Sequence, residues 1–222
     1  MALSSPTTSM PSRLSLPFEW RQGEHLAITG ETGSGKSTLA AGLLAARWPY
    51  YAVVKTKPDD VRYPGRTIAR AASMDSKHNR FILDLSEARR EVQEARVREI
   101  TESAWKQGGW TIYYDELFYL ERLGLVDTVE HLLTQGRSKG LTVVVGMQRP
   151  ARITRFALSQ ATHVISFSQE GRDAKILRDA TSDRMREAVE MLPRYHFAWY
   201  YRPERAVWTG RLQDLYHSDR IA

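Results

Sequence analysis

The chain contains no cysteine among its 222 residues. Disulfide scaffolds, thiolate zinc sites and cysteine nucleophiles are therefore excluded. Long apolar runs are also lacking, since stretches such as residues 141–145 fall far short of the roughly 20 residues that a membrane-spanning helix needs. We therefore expect no direct membrane insertion.

Residues 1–17 lack the basic start and apolar centre of a secretory signal. They are rich in Ser, Thr and Pro, which predicts a flexible N-terminal arm, with a docking tail as the alternative reading. We expect a single domain over residues 18–222 and the cytoplasm as the default compartment.

The composition is that of an ordinary globular protein, with 42% hydrophobic and 26% charged residues, which excludes a disordered chain. Lys and Arg outnumber Asp and Glu by 32 to 26, for a net charge of +6. This surplus is compatible with a polyanionic partner but does not establish one. The six histidines lack metal-ligand spacing, so no zinc site is predicted.

Apolar runs alternate with helical patterns along the chain. Strands are predicted over residues 25–29, 50–56, 80–85, 110–114, 141–147 and 162–168. Helices are predicted over residues 37–47, 86–107, 125–138 and 171–180, with a short helix near 68–73 in a polar loop over 57–77.

Two further local features are predicted, a helix cap and a hairpin. Asp84 or Ser86 is expected to cap the long helix, and residues 196–202 and 206–211 predict a terminal hairpin with Pro203 in its turn. The alternation of strands and helices predicts an α/β fold with a mostly parallel sheet, helices on both faces and a C-terminal β-hairpin.

A phosphate-binding loop is the most specific motif. Residues 30–37 match Gly-x-x-x-x-Gly-Lys-Ser in every fixed position, between a predicted strand and a predicted helix. Glycines let successive backbone N–H groups point at phosphate oxygens, and the helix adds its positive end. Lys36 should reach the terminal phosphates of ATP, and Ser37 should ligate Mg²⁺. The predicted nucleotide-binding residues are Gly30, Glu31, Thr32, Gly33, Ser34, Gly35, Lys36, Ser37 and Thr38.

An acidic pair follows the apolar strand 110–114. Asp115 is expected at the carboxyl edge of the sheet, where it would hold Mg²⁺. Glu116 would activate the attacking water as general base. A small-molecule kinase has less need of such a glutamate, so the pair favours hydrolysis. Gln148, after the strand 141–147, would lie at the same edge and sense the γ-phosphate or position the water.

Residues 136–150, GRSKGLTVVVGMQRP, strongly resemble the segment that marks the FtsK–HerA superfamily of DNA-pumping ATPases. The order of P-loop, acidic pair and Gln-Arg-Pro agrees with that family, and the resemblance covers most of residues 26–199. It implies a RecA-like P-loop NTPase core in a homo-oligomeric ring, usually a hexamer, around double-stranded DNA. In its compact size the chain resembles the viral genome-packaging ATPases of this superfamily. That resemblance implies capsid vertex or portal proteins as partners. It also implies the host cytoplasm as the location, and association with the virion.

By the same resemblance, Lys36, Ser37 and Asp115 bind nucleotide and metal, Glu116 is catalytic and Gln148 is the sensor. Arg137 is the first choice for an arginine finger that reaches a neighbour's γ-phosphate, with Arg149 and Arg152 as alternatives. The candidate DNA contacts are basic residues in two clusters: Lys55, Lys57, Arg62, Arg66 and Arg70, and Arg149, Arg152 and Arg155.

Four hypotheses remain open at this point. The leading one is an ATP-driven translocase of double-stranded DNA, most plausibly a viral packaging motor. A plasmid-transfer or repair translocase is the alternative within motors. Outside motors, a P-loop small-molecule kinase and an ATP-binding adaptor that scaffolds a capsid vertex are the rivals.

Overall fold

The computed structural model describes residues 19–46, 50–58, 60–74, 78–149 and 155–215. The predicted arm over residues 1–17 and the alternative finger Arg152 lie outside this part of the chain. The described strands are β1 (Leu26–Thr29), β2 (Tyr51–Lys55), β3 (Arg66–Thr67), β4 (Arg80–Asp84), β5 (Thr111–Tyr114), β6 (Thr142–Met147), β7 (His163–Phe167), β8 (His196–Tyr201) and β9 (Ala206–Arg211).

The described helices number seven, together with three 3₁₀ turns at Ala71–Ser73, Gly136–Lys139 and Leu212–Leu215. They are α1 (Lys36–Ala46), α2 (Arg90–Gln107), α3 (Leu117–Arg122), α4 (Val126–Gln135), α5 (Arg155–Gln160), α6 (Gly171–Ala180) and α7 (Asp183–Met191). None of these helices is both long and apolar enough to cross a membrane.

All nine described strands form one sheet in the order β3-β4-β2-β5-β6-β1-β7-β8-β9. The first seven strands in this order pair in parallel, and only β8 and β9 run antiparallel to their neighbours. Pro203 lies in the turn between β8 and β9, as expected. The predicted α/β fold with a mostly parallel sheet and a C-terminal hairpin is confirmed.

Two apolar layers cover the sheet, because successive side chains of a strand point to opposite faces. Leu26 and Ile28 of β1 pack with α1, whereas Ala27 belongs to the layer on the other face. That second layer takes buried residues from α2, α3, α4, α5, α6 and α7. Helices therefore lie on both faces, as expected, but the division is unequal: α1 is the one α-helix of the described chain in the first layer.

The long helix begins later than expected. α2 starts at Arg90 rather than at residue 86. Its N-cap residue is Arg89, whose side chain makes no capping hydrogen bond. The predicted caps are wrong because Asp84 and Ser86 bond to each other: the Ser86 backbone N–H and hydroxyl both donate to Asp84 Oδ1, at 3.1 and 2.6 Å. This local turn takes the hydrogen bonds that a helix start would need.

Other differences concern short elements. The helix expected over 125–138 ends at Gln135 and continues as the 3₁₀ turn Gly136–Lys139. The sequence patterns did not predict α3, α5 and α7, nor the two-residue strand β3. With six residues each, α3 and α5 are too short to show a helical period.

Candidate active site

Strand β1 lies at the centre of the sheet, between β6 and β7, and ends directly in the phosphate loop. The Gly30 N–H donates to the carbonyl of Met147 at the end of β6, at 3.2 Å. Within the loop, the Ser34 N–H donates to the Glu31 carbonyl at 3.2 Å. The loop is therefore fixed at the carboxyl edge of the sheet, where the N-terminus of α1 faces any bound phosphate.

Two loop positions strongly favour glycine. Gly30 has φ +156° and Gly35 has φ +108°, which are conformations that other residues rarely adopt. A Cβ at Gly30 would lie 2.8 Å from Phe167 Cβ, and a Cβ at Gly35 would lie 2.8 Å from Leu212 Cδ2. The fixed glycines of the motif therefore have a steric reason as well as a conformational one.

Lys36 is folded over the loop. Its ammonium donates to the carbonyls of Gly30 and Glu31, at 2.6 and 2.8 Å. Burial, and then the charge of Lys57, lower the pKa of Lys36 to about 8, against smaller opposing effects of Glu116 and Glu31. Because the ammonium rests on neutral carbonyls, a polyphosphate offers it a far stronger set of acceptors.

Asp115 follows β5 and is almost fully buried, with 2% of its surface exposed. Its carboxylate accepts the backbone N–H of Thr56 at 3.1 and 3.2 Å and the Thr56 hydroxyl at 2.8 Å. Thr56 follows β2, which pairs in parallel with β5. The neighbouring strand therefore fixes the orientation of the predicted metal ligand.

Glu116 caps α3 and is buried beside Asp115. Its Oε2 accepts the ammonium of Lys57 at 3.0 Å, while Oε1 is buried without a hydrogen-bond partner in the described part of the chain. A buried carboxylate oxygen without a donor is costly, and it is free to accept a proton from water. This geometry suits the general base that the sequence predicts.

Two of the candidate DNA contacts form ion pairs with carboxylates of the chain. Lys57 pairs with Glu116, and Lys55 is buried and pairs with Asp84 at 3.3 Å. The two ion pairs are only partly buried, since the Lys57 side chain is 31% exposed and the Asp84 side chain 37% exposed. Contacts of Lys55 and Lys57 with DNA stay predictions. The remaining members of that cluster, Arg62, Arg66 and Arg70, are exposed.

Gln148 follows β6, which lies between β5 and β1, so it stands between the carboxylates and the phosphate loop. It is half-buried, and the next residue, Arg149, is exposed. Arg149 lines a cleft of about 740 Å³ together with the loop residues Glu31 to Ser34. The structure thus brings Gln148 and Arg149 to the edge where the sequence places them.

Arg137 lies at the opposite edge of the sheet. It belongs to the 3₁₀ turn before β6, and its guanidinium donates to the hydroxyl of Thr162, before β7, at 3.0 Å. The structure therefore does not bring Arg137 to the phosphate loop of its own chain. A role as arginine finger requires a neighbouring subunit and stays a prediction.

The residues at this edge fit Mg²⁺ and a nucleoside triphosphate. The Ser37 hydroxyl and the Asp115 carboxylate are oxygen ligands of the kind that Mg²⁺ prefers. The Ser34 hydroxyl and Glu116 Oε1 are buried without partners among the described residues. The described chain holds no cluster of three or more His, Asp or Glu that could bind a metal alone. The ion would therefore complete its shell with phosphate oxygens and water.

The sequence analysis does not single out Thr56, and it names Lys57 only as a candidate DNA contact. Both follow β2, as Asp115 and Glu116 follow β5, and the two strands are neighbours. The available signal was the Lys-Thr-Lys run at the end of a predicted parallel strand, since such ends meet at one sheet edge.

The family model described as ABC transporter matches residues 14–166, which is more than half of the chain. No curated protein matches the chain in sequence. Among solved structures, the chain is similar to the genome packaging NTPase B204 from Sulfolobus turreted icosahedral virus 2 in complex with ATP-gammaS. The TM-score is 0.69 and the identity 18%, over 86% of this chain and 98% of that one.

Two further structures share the fold. VirB4 of Thermoanaerobacter pseudethanolicus matches with a TM-score of 0.65 and 9% identity, over 84% of this chain and 88% of that one. The cytoplasmic domain of the Thermomonospora curvata type VII secretion ATPase EccC matches with a TM-score of 0.55 and 16% identity, over 86% of this chain and 25% of that one. The chain therefore belongs to the P-loop family described as ABC transporter, and it is an ATPase that shares its RecA-like fold with these solved structures.

Proposed function

We propose that the chain is an ATP-driven translocase of double-stranded DNA that packages a viral genome. In this proposal it works with ATP and Mg²⁺ as a homo-oligomeric ring, a hexamer, docked on capsid vertex or portal proteins. The host cytoplasm and the virion are its expected locations. The similarity to B204, a genome packaging NTPase, over almost the whole of that chain supports this choice.

One structural observation carries the proposal. The proposed sensor of the γ-phosphate, Gln148, is followed immediately by the exposed Arg149, and Arg155 is exposed at the start of α5. DNA motors hold the phosphate backbone with basic side chains, independently of base sequence. A change at Gln148 upon hydrolysis would therefore reach DNA-binding side chains through very few backbone bonds.

Hydrolysis in this proposal follows from the geometry. Lys36 exchanges the carbonyls of Gly30 and Glu31 for phosphate oxygens. Ser37 and Asp115 would hold Mg²⁺, which would supply positive charge against the charge that develops on the phosphates. Glu116 Oε1 accepts a proton from the attacking water, and Gln148 orients that water.

The direct test is steady-state ATP hydrolysis with and without linear duplex DNA, with Lys36→Ala as the blank. We expect stimulation by duplexes of any sequence and a loss of stimulation as salt rises. A second measurement is the affinity for duplex DNA as a function of salt concentration. The variants Arg149→Ala and Arg155→Ala should each lower the slope of log DNA affinity against log salt concentration by about 1. The control Arg98→Ala, which changes an exposed arginine on α2, should leave that slope unchanged. If DNA does not change the rate of ATP hydrolysis but a small phosphate acceptor raises it, the chain is a small-molecule kinase rather than a translocase.

Assemblies that mix two variants of the chain test both the proposed ring and the proposed arginine finger Arg137. Arg137→Ala subunits keep an intact phosphate loop, and Lys36→Ala subunits keep an intact Arg137. If Arg137 acts on a neighbour, mixing two inactive variants should restore part of the activity, because some interfaces combine the two intact halves. Full activity of Arg137→Ala alone would refute the finger assignment.

A plasmid-transfer or repair translocase is the second candidate. It would use the same residues for hydrolysis. Binding of the ring to purified capsid or portal protein, as against membrane-bound transfer components, would separate the two candidates.

A further inference from the structure

A second concave surface adjoins the phosphate loop. This surface, the Tyr195 groove, has a volume of about 420 Å³ and is largely apolar. It is lined by Thr38, Arg194, Tyr195, His196, Arg211, Leu212 and Gln213. Arg194, Tyr195 and His196 also line the cleft of about 740 Å³ beside Glu31 to Ser34, so the groove is continuous with the phosphate loop.

The groove lies on the side of the loop that faces away from the carboxylates. In the sheet, β5 and β6 lie on one side of β1, and β7, β8 and β9 on the other. Asp115, Glu116 and Gln148 follow β5 and β6, whereas His196 begins β8 and Arg211 ends β9. Since β8 is antiparallel to β7, these residues share the edge of the phosphate loop.

This arrangement gives a bound triphosphate a direction. The γ-phosphate must lie toward Lys36 and Glu116, where the water is activated. Thr38, one position after Ser37 on α1, is a wall of the Tyr195 groove. The end of the nucleotide that carries the sugar and base therefore leaves the phosphate loop toward this groove.

Tyr195 is held in an unusual conformation. Its φ of 62° lies in the left-handed region, which is costly for an aromatic residue, and 45% of its surface is exposed. The Arg194 guanidinium lies 4.7 Å from the ring centroid and covers the ring. The Leu212 N–H donates to the Tyr195 carbonyl at 2.9 Å, and Leu212 also contacts Gly35 of the loop. An exposed ring in a strained, well-anchored backbone is typical of a ligand contact.

We propose that the Tyr195 groove binds the base of the nucleotide, with a purine ring stacked against Tyr195 and resting on Leu212. This inference rests on the ATPase activity alone and not on DNA translocation. Stacking on an aromatic side chain tolerates any base with a π-face, so the groove should accept guanine as well as adenine.

The test compares nucleotide affinities with the affinity for inorganic tripolyphosphate, which lacks a base. The Tyr195→Ala variant should weaken the binding of ATP and of GTP about tenfold and leave tripolyphosphate unchanged. Tyr195→Phe should bind ATP like the unmodified protein. Tyr50→Ala is the matched control, because Tyr50 is also partly exposed but precedes β2 at the opposite edge.

The affinities of Tyr195→Ala decide whether the Tyr195 groove binds the base. Equal weakening of ATP and tripolyphosphate by Tyr195→Ala would show that Tyr195 only shapes the phosphate loop and would overturn the proposal. Unchanged ATP affinity would overturn it as well. Tyr195→Asn, which suits the left-handed backbone, supplies a ring-free variant if Tyr195→Ala does not fold. All measurements are made without DNA, so a failure of the translocase proposal would not affect them.

Discussion

The two edges of the central sheet use polar groups in opposite ways. At the amino edge, the segment that precedes β1 pairs most of the polar groups with one another, although His25 Nε2 is buried without a partner among the described residues. The Gly23 N–H donates to the Thr142 hydroxyl at 2.8 Å, and Glu24 Oε2 contacts His163 Nε2 at 3.1 Å. The Val143 N–H donates to His25 Nδ1 at 3.1 Å. These bonds join the starts of β1, β6 and β7.

At the carboxyl edge, groups of the same kind are left for a ligand. The Ser34 hydroxyl and Glu116 Oε1 are buried without partners in the described chain, and Lys36 rests on backbone carbonyls. The two buried bases differ accordingly. Burial and the charge of Arg137 lower the pKa of His25 to about 4, so it is neutral at pH 7, whereas Lys36, with a pKa of about 8, stays charged. Most polar groups at the amino edge therefore stabilise the fold, whereas those at the carboxyl edge are available to the proposed nucleotide.

The largest effect is expected from Glu116→Gln at the carboxyl edge. The amide has the shape of the carboxylate but cannot accept the proton of water, so turnover should fall about a hundredfold or more while ATP still binds. Parallel measurements of ATP turnover and ATP affinity check this. Glu121→Gln, an exposed carboxylate on α3, is the control and should be fully active.

The pH dependence of ATP binding should show the titration of Lys36. Below pH 8 its ammonium is already charged, so ATP affinity should be flat. Above pH 8 the free protein loses this proton, and binding must restore it, so affinity should fall about tenfold per pH unit. The dissociation constant of ATP between pH 7 and 9.5 is the measurement.

Lys57→Met sharpens that experiment. The charge of Lys57 lowers the pKa of Lys36, so its removal should shift the onset of weakening to higher pH. A flat profile up to pH 9.5 in the unmodified protein would exclude Lys36 as the titrating group.

Thr142→Val should affect only the amino edge. The substitution leaves the buried Gly23 N–H without its acceptor, which should cost about 1 kcal/mol of unfolding free energy. Urea denaturation gives this quantity, and ATP affinity should not change. A loss of ATP affinity without a loss of stability would contradict the division between the two edges.

Glu94→Ala should have the smallest effect, because it lies at neither edge. Its carboxylate pairs with Arg98 on the exposed face of α2 at 3.1 Å. Such a pair contributes about 0.3–0.5 kcal/mol, and the contribution should vanish in 1 M salt. The same denaturation experiment at two salt concentrations checks it.

The sequence predicts most of this fold because its signals are local. β6 and its neighbours are continuous apolar runs, and the glycine pattern of residues 30–37 lies between a strand and a helix. The start of α2 was misjudged because Asp84 and Ser86 form a turn of their own. α7 was missed because only Met185 and Val189 form its buried stripe, although Ser182 caps it by accepting the Met185 N–H at 3.2 Å.

The residues of the site were predictable, but their partners were not. Gly30, Lys36, Asp115 and Glu116 belong to short motifs. The contact of Thr56 with Asp115 joins residues 59 positions apart, and only strand pairing reveals it. The left-handed backbone of Tyr195 has no signature in the sequence, since tyrosine is not a residue that favours it.

The central place of β1 also affects how the chain is made. β1 emerges from the ribosome before every other described strand, yet its partners are Val144 and its neighbours in β6, and His163 and its neighbours in β7. At 5–20 residues per second, roughly ten seconds pass before the first partner is synthesised. The phosphate loop therefore cannot take its final form early in translation. Nascent chains should acquire ATP binding late, and until then the apolar β1 is a natural target for chaperones.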